Sequence, residues 1–381
     1  MKADYLTSII LSVIIAFLPL ISFVEVPGLG IGLGMFSIII WSPWLIFICL
    51  TRLQLNDIAK FSFFICFCAY SIYVSWGNVS NAVGFILILI WGMGTYKNLI
   101  NEKILFGIMS AVSIIAGFII VAQILSYYVF GYTIRPYIPS LYEKSIVENY
   151  YDVIFAGSNN GKMYRPSAFF LEPSHFSEYS FMALLWNLFG NKWKNGLKIA
   201  AIISLGILLT RSGMGIAMVA VAWAIYYIIG LDLKKNENIV NAVLVAIVCV
   251  FVIIVCLKMP FFQSAVNRVS STEGDYNAIS GRLFWWNYYF GPLSLTQLVM
   301  GCGYNAVEMD KYMTGFMKLL YCSGIIGVIL FYSALFQHVK KNNEFKNIAI
   351  IFYSVLCFFA GLTSVMYLVF YFTIIFSKKQ K

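Results

Sequence analysis

Charge is what this sequence has least of: only 11% of its 381 residues are Asp, Glu, Lys or Arg, against 61% hydrophobic residues and a mean hydropathy of +0.84. A domain of this size with so apolar a composition cannot stay in solution, which excludes the soluble globular class. Histidine is nearly missing, with His175 and His338 alone, and no zinc-type pair is present. The eight cysteines mostly lie inside apolar runs (Cys49, Cys66, Cys68, Cys249, Cys256, Cys357), where a small apolar side chain simply packs, so neither a disulfide framework nor a metal site is expected. No internal repeat, low-complexity tract or linker divides the chain, which reads as a single membrane domain over residues 1–381. A Walker lysine loop, a Ser-His-Asp elbow and an outer Asp-rich motif are also missing, so any reaction is expected to need neither metal nor cofactor.

What is present is a succession of apolar runs of roughly 15 to 25 residues, without the strand-length alternation of an outer-membrane barrel. The expected fold is all-α: a polytopic integral membrane bundle of about twelve helices near 6–24, 32–50, 61–76, 82–96, 104–130, 174–190, 197–211, 213–230, 239–257, 315–336, 347–361 and 363–376. The first run follows Lys2 but lacks a small-residue cleavage site before Glu25, which favours a retained span over a signal peptide. With the N-terminus inside, the alternate breaks carry Arg52 and Lys60, Lys97 and Lys103, Lys192, Lys194 and Lys198, Lys234 and Lys235, Lys340, Lys341 and Lys346, and the lysine-rich tail. That agrees with the positive-inside rule and returns both termini to the cytoplasm. Two long segments, 131–173 and 258–314, are left on the outer side. The formal net charge of +10 is scattered between apolar runs, not gathered on a soluble face, so no nucleic-acid partner is expected.

The outer segments hold aromatic clusters (Tyr127, Tyr128, Tyr132, Tyr137, Tyr142, Tyr150, Tyr151; Phe284, Trp285, Trp286, Tyr288, Tyr289). Such rings suit either an interfacial belt or stacking on sugar faces. Arginine is sorted to the outer side (Arg135, Arg165, Arg211, Arg268, Arg282), while the inner breaks, Arg52 apart, use lysine. A planar, permanently charged fork grips phosphate oxygens at two points, so the skew fits either a phosphate or diphosphate site or contact with anionic headgroups. Arg211 lies in a tight turn between two apolar runs, where it either snorkels or serves a site. In Arg165-Pro-Ser-Ala-Phe-Phe-Leu-Glu-Pro-Ser-His-Phe-Ser-Glu178, ionisable groups open directly into a membrane-length run. Glu172 precedes Pro173 at a helix start, and Glu178 is six residues on, where it either complements the helix dipole or serves a site. His175 is either a hydrogen-bonded structural residue or a proton carrier.

Arg165-x-x-Ala168-x-Phe170-x-Glu172-Pro173-Ser174 resembles the Arg-x-x-Gly-x-Phe-x-Glu-Pro-Ser signature of bacterial polysaccharide polymerases of the Wzy type, within the O-antigen polymerase and ligase superfamily. Leu209-Thr210-Arg211-Ser212-Gly213-Met214-Gly215 is similar to the family's Leu-Thr-x-Ser-Arg-x-Gly turn with Arg and Ser exchanged. Gly301-Cys302-Gly303-Tyr304-Asn305, followed by Ser323-Gly324-Ile325-Ile326-Gly327, is similar to its Gly-x-Gly-x-x-Asn block and the helix after it. The departures are Ala168 in place of glycine and the exchanged order at Arg211.

The resemblance implies a multi-spanning glycosyltransferase of the GT-C class in the cytoplasmic (inner) membrane, its site facing the periplasm, acting on undecaprenyl-diphosphate-linked oligosaccharides. It implies membrane lipids, a chain-length regulator and a repeat-unit flippase as partners. It further implies Arg211, Arg268 and Arg282 on the diphosphate, with Arg165, Tyr304 and Asn305 binding substrate, and Glu172, with His175 as alternative, as the general base. The last long outer segment lacks the histidine usual in the ligase branch, which favours polymerase over ligase. A transporter or flippase for a lipid-linked sugar or anion is the competing reading from another class. Transporters place ionisable residues near the bilayer midplane and often have two related halves, and neither is legible here.

Overall fold

The computed structural model describes residues 2–22, 24–96, 99–134, 164–190, 195–230, 285–306, 313–339, 343–361 and 364–377. Their helices are α1 (Lys2–Ile21), α2 (Leu33–Arg52), α3 (Leu55–Ala59), α4 (Ser62–Val74), α5 (Val79–Gly94), α6 (Glu102–Phe130), α7 (Pro173–Leu185), α8 (Gly196–Leu209), α9 (Gly213–Gly230), α10 (Leu295–Met300), α11 (Gly315–Phe336), α12 (Glu344–Phe359) and α13 (Val365–Phe376). Residues 285–290 are also helical. A two-residue antiparallel pair, Glu25–Val26 with Ile31–Gly32, closes the turn between α1 and α2.

A helix occupies each apolar run expected to be helical except 239–257, which lies outside the described residues. The physical cause is plain: in a medium without water, only an internally bonded backbone can run through an apolar stretch. The protein is therefore an all-α membrane protein. Among the described residues four helices, α2, α6, α9 and α11, are long and apolar enough to cross a bilayer, and shorter apolar helices accompany them. Large side chains such as Leu50, Phe47, Phe118, Val129, Leu205 and Ile329 are exposed along these helices. In water they would be a liability; against lipid they are an ordinary surface.

The chain forms two compact units, one of residues up to Ile108 and from Arg282, the other centred on Met109 to Gly281. In the first, α4 packs on α5 and α11, and α5 on α2 and α13. Its core is aromatic: Phe61, Phe64, Phe67, Phe331, Phe372 and Phe376 meet at tilted or edge-on angles, the arrangement ring quadrupoles prefer. A buried Lys346–Glu102 ion pair (2.9 Å) joins the starts of α12 and α6, and Ser377, just past α13, bonds to both partners.

In the same unit α11 is broken at Gly324 (φ 63°, ψ −171°). The strand-like loop after α10 fills the break: the Cys302 and Gly303 N–H groups donate to the carbonyls of Tyr321 (2.8 Å) and Cys322 (2.9 Å). The approach is backbone to backbone, because a Cβ on Gly301 would sit 2.3 Å from the Cys322 oxygen and one on Gly324 2.2 Å from that of Val299. Two glycine-bearing blocks of the sequence thus meet as one feature.

In the second unit α7 packs on α8 and α9. Gly215 lets α9 come against α7, since a Cβ there would lie 2.5 Å from Ser177 Oγ. After Leu185 the helix widens into a π-helical turn, Trp186–Gly190, where Asn187 Nδ2 donates to Ser110 Oγ and the Ala183 carbonyl, both at 2.8 Å.

Candidate functional site

The second unit brings two of the sequence blocks together. Helix α8 ends at Leu209 with Thr210 as its C-cap, and the next residue, Arg211, adopts the left-handed conformation (φ 59°). Glycine normally takes that position after a helix, so an arginine there costs energy and marks a site held for another reason. The hydroxyls on either side make the turn stable. Thr210 Oγ1 donates to the Ile207 carbonyl (2.7 Å) and accepts from the Ser212 N–H (3.2 Å), while Ser212 Oγ accepts from the Gly215 N–H (3.3 Å) and caps α9. Thr-Arg-Ser-Gly is therefore a hydroxyl-capped helical hairpin with a forced arginine at its tip.

Arg211 is 7% exposed, so its guanidinium is enclosed and does not snorkel to the surface. Nη1 donates to Tyr128 Oη (2.9 Å) and to the Tyr164 carbonyl (3.3 Å), with Cζ 5.6 Å from the centre of the Tyr128 ring. Tyr164 is the residue before Arg165, so the Arg211 turn and the Arg165–Ser174 block share a contact. Tyr164 stacks on Tyr127 (4.6 Å, 21°). Burial first, and then the neighbouring Tyr127, push its hydroxyl up to about 12, so it stays a neutral phenol at physiological pH.

Ala168, the residue standing where the resembled signature has glycine, also has a left-handed backbone (φ 55°). Its N–H donates to Gln123 Oε1 (2.9 Å), and Gln123 Nε2 donates back to its carbonyl (3.0 Å). The chain then turns through Phe170, which lies against Phe176 and Tyr179 (both 5.4 Å), to Glu172. Glu172 is the N-cap of α7, with Pro173 in the first turn, and its Oε2 accepts from Ser174 Oγ (2.7 Å). His175 follows in the first turn of the helix and Glu178 lies further along it. Glu178 is buried and past the first turn, so complementing the helix dipole, a role confined to helix ends, is not its main one.

Arg165, Glu172, His175 and Arg211 thus lie in one unit on adjoining segments. Tyr304 and Asn305 lie in the other unit, on the short 3₁₀ turn Tyr304–Ala306. The Tyr304 ring packs edge-on to Phe85 (4.8 Å), and burial raises its hydroxyl. Asn305 Nδ2 donates to the Trp76 carbonyl (3.3 Å), and Asn305 Oδ1 accepts from Asn81 (3.5 Å). These contacts dock the turn on α4 and α5. Arg268 and Arg282 lie outside the described residues. Of the second aromatic cluster, Tyr289 is buried against Met313, Met317 and Tyr321, whereas Tyr288 is exposed. Among the described residues no group of His, Cys, Asp and Glu is placed to hold a metal ion. Sequence reasoning missed Gln123, which carries no motif of its own, and read Tyr128 as one ring of an aromatic cluster without its bond to Arg211. The one available signal was a lone glutamine inside the longest apolar helix. Neither a scan of protein-family models nor a search of curated proteins finds a match to this chain, so the resemblance rests on these residues themselves.

Proposed function

We propose that this protein polymerises undecaprenyl-diphosphate-linked oligosaccharide repeats into O-antigen or a related surface polysaccharide at the outer face of the cytoplasmic membrane. The observation that carries the reading is the convergence of the Arg165–Ser174 block with the strained Arg211 turn through Tyr164. A left-handed, enclosed arginine bonded to the residue that opens the Arg165–Ser174 block is an expensive arrangement for anchoring lipid headgroups. It suits a reaction in which negative charge grows on a leaving diphosphate.

In this scheme the acceptor hydroxyl of a lipid-linked repeat attacks the anomeric carbon of the growing chain. Glu172, with His175 as alternative, takes the hydroxyl proton, the bond from the anomeric carbon to diphosphate oxygen breaks, and the lipid diphosphate leaves toward Arg211. A single displacement inverts the anomeric centre. Arg268 and Arg282 complete the diphosphate clamp, Arg165 positions one substrate, and Tyr304 and Asn305 contribute to substrate binding. In this reading the chain has about twelve spans with both termini cytoplasmic and outer segments 131–173 and 258–314, and the chemistry is periplasmic; the distribution of lysines between apolar runs supports it. A flippase would supply repeats and a chain-length regulator would act on the product.

The test is the surface-polysaccharide ladder of a strain lacking the gene, complemented with wild type, Arg211→Ala, Arg211→Lys or Glu172→Ala. Each variant is expected to accumulate in the membrane yet leave a single repeat on the acceptor. Lysine should fail because a point charge lacks the two-pronged fork. Retained long-chain polymer in the Arg211 and Glu172 variants would remove the mechanism. Long polymer held on lipid with no surface glycan would indicate a ligase, and an unchanged ladder a transporter.

A further inference from the structure

Gln123 is a polar side chain, 1% exposed, on the apolar helix α6, where an amide without partners would be costly. Its two amide atoms reach across to Ala168, the oxygen accepting from the Ala168 N–H and the nitrogen donating to the Ala168 carbonyl, with a longer bond (3.4 Å) from the same nitrogen to the Ile134 carbonyl. This is the pairing two strands would make, supplied by a side chain. It falls on a residue whose backbone is left-handed without being glycine. Ala168 would relax to the α or β region if left alone, and the segment from Arg165 to Glu172 would turn with it. One turn further along α6, Tyr127 stacks on Tyr164 and Tyr128 holds Arg211.

We infer that Gln123 is a positioning residue for this site: by bonding both backbone groups of Ala168 it holds the strained turn between Arg165 and Glu172, in the segment that begins at Tyr164, the partner of Arg211. The inference rests on the polymerase reading for its functional consequence but not for its structural one. A displacement of about 1 Å at a reacting group costs on the order of a hundredfold in rate, so a loosened turn has a large effect without loss of fold.

The variant is Gln123→Met, which keeps the volume and removes the amide's hydrogen bonds, followed by Gln123→Met with Ala168→Gly, because glycine holds a left-handed backbone without help. Two readouts are taken: amide hydrogen exchange of the peptide covering 164–172 in purified protein, and the polysaccharide ladder. The expected result is faster exchange in 164–172 with other helices still protected, and at least a tenfold drop in long polymer. Adding Ala168→Gly should then restore polymer toward the level of Ala168→Gly alone. Unchanged exchange overturns the clamp. Faster exchange with a wild-type ladder, or no recovery with glycine, overturns the positioning role. If Gln123→Met does not accumulate, Gln123→Leu takes its place. Failure of both to accumulate, with or without glycine, reduces Gln123 to a folding residue and overturns the inference. An unchanged ladder in the deletion strain defeats the polymerase reading instead, and the exchange data still decide the clamp.

Discussion

Among the described residues two that are not glycine have left-handed backbones, Ala168 and Arg211, and both fall inside blocks already notable in the sequence. A left-handed L-residue costs roughly 1 to 2 kcal/mol, so neither conformation would persist without support. Arg211 is supported by hydroxyl caps on both sides, and Ala168 by Gln123. The signature that Arg165–Ser174 resembles has glycine at the Ala168 position, and the backbone explains that preference physically. Ala168→Gly should raise stability by at most about 1 kcal/mol, because relief of strain is offset by the added freedom of the unfolded chain. Ala168→Val should lower it by more than that, since a β-branched side chain is poorly tolerated at positive φ. Thermal denaturation of the purified protein in detergent, followed by size-exclusion recovery, checks both, and a Val variant as stable as wild type would contradict the strain. The identities of Arg165, Glu172 and Arg211 were legible in sequence because charges at the mouth of apolar runs stand out. Gln123 was not, since its partner is 45 residues away and only the folded backbone pairs them.

At the scale of elements, helix positions were the most readable property, because apolar length translates directly into internally bonded backbone. Interruptions within the helices were not. The π-helical turn at Trp186–Gly190 continues an apolar pattern with no proline to announce it. The break at Gly324 lies in a small-residue run that reads equally as a close-packed helix, and only the loop docked into it reveals the difference. Here glycine is obligatory twice over, by positive φ and by a Cβ that would overlap backbone atoms, which a rotamer change cannot relieve. Gly324→Ala and Gly301→Ala are therefore expected to cost several kcal/mol and to abolish accumulation of folded protein. Gly213→Ala, at the start of α9 with nothing within 4 Å of the added carbon, is expected to accumulate normally. Fluorescence size-exclusion of tagged variants separates the two outcomes, and monodisperse Gly324→Ala protein at wild-type yield would show that the break is not required.

For the whole molecule, the decisive question is how helices of unequal length relate to the bilayer. Helix α13 has 12 residues and α4 has 13, giving lengths of about 18 to 20 Å. A hydrocarbon core is about 30 Å thick, so neither crosses it fully without help from flanking residues or local thinning. The topology proposed from charge nonetheless needs both to cross, because the inner breaks at Lys60 and at Lys340–Lys341, and the lysine-rich tail, alternate with outer turns. The buried Lys346–Glu102–Ser377 cluster fits that assignment: it ties the starts of α12 and α6 to the end of α13, the helix ends placed on the inner side. Reporter fusions decide the matter. An exported-phosphatase reporter at Gly361 should be active, and one after Lys60, Lys235 or Lys381 inactive, with a cytoplasmic fluorescent reporter giving the reverse pattern. A re-entrant α12–α13 pair would instead keep Gly361 off the outer side, the tail lying on the side of Lys341 in either case. That result would leave the helices as described but reduce the number of spans, whereas the outward orientation of Glu172 and Arg211, which depends on the spans before them, would be lost only if the phosphatase fusion after Lys60 or Lys235 were active.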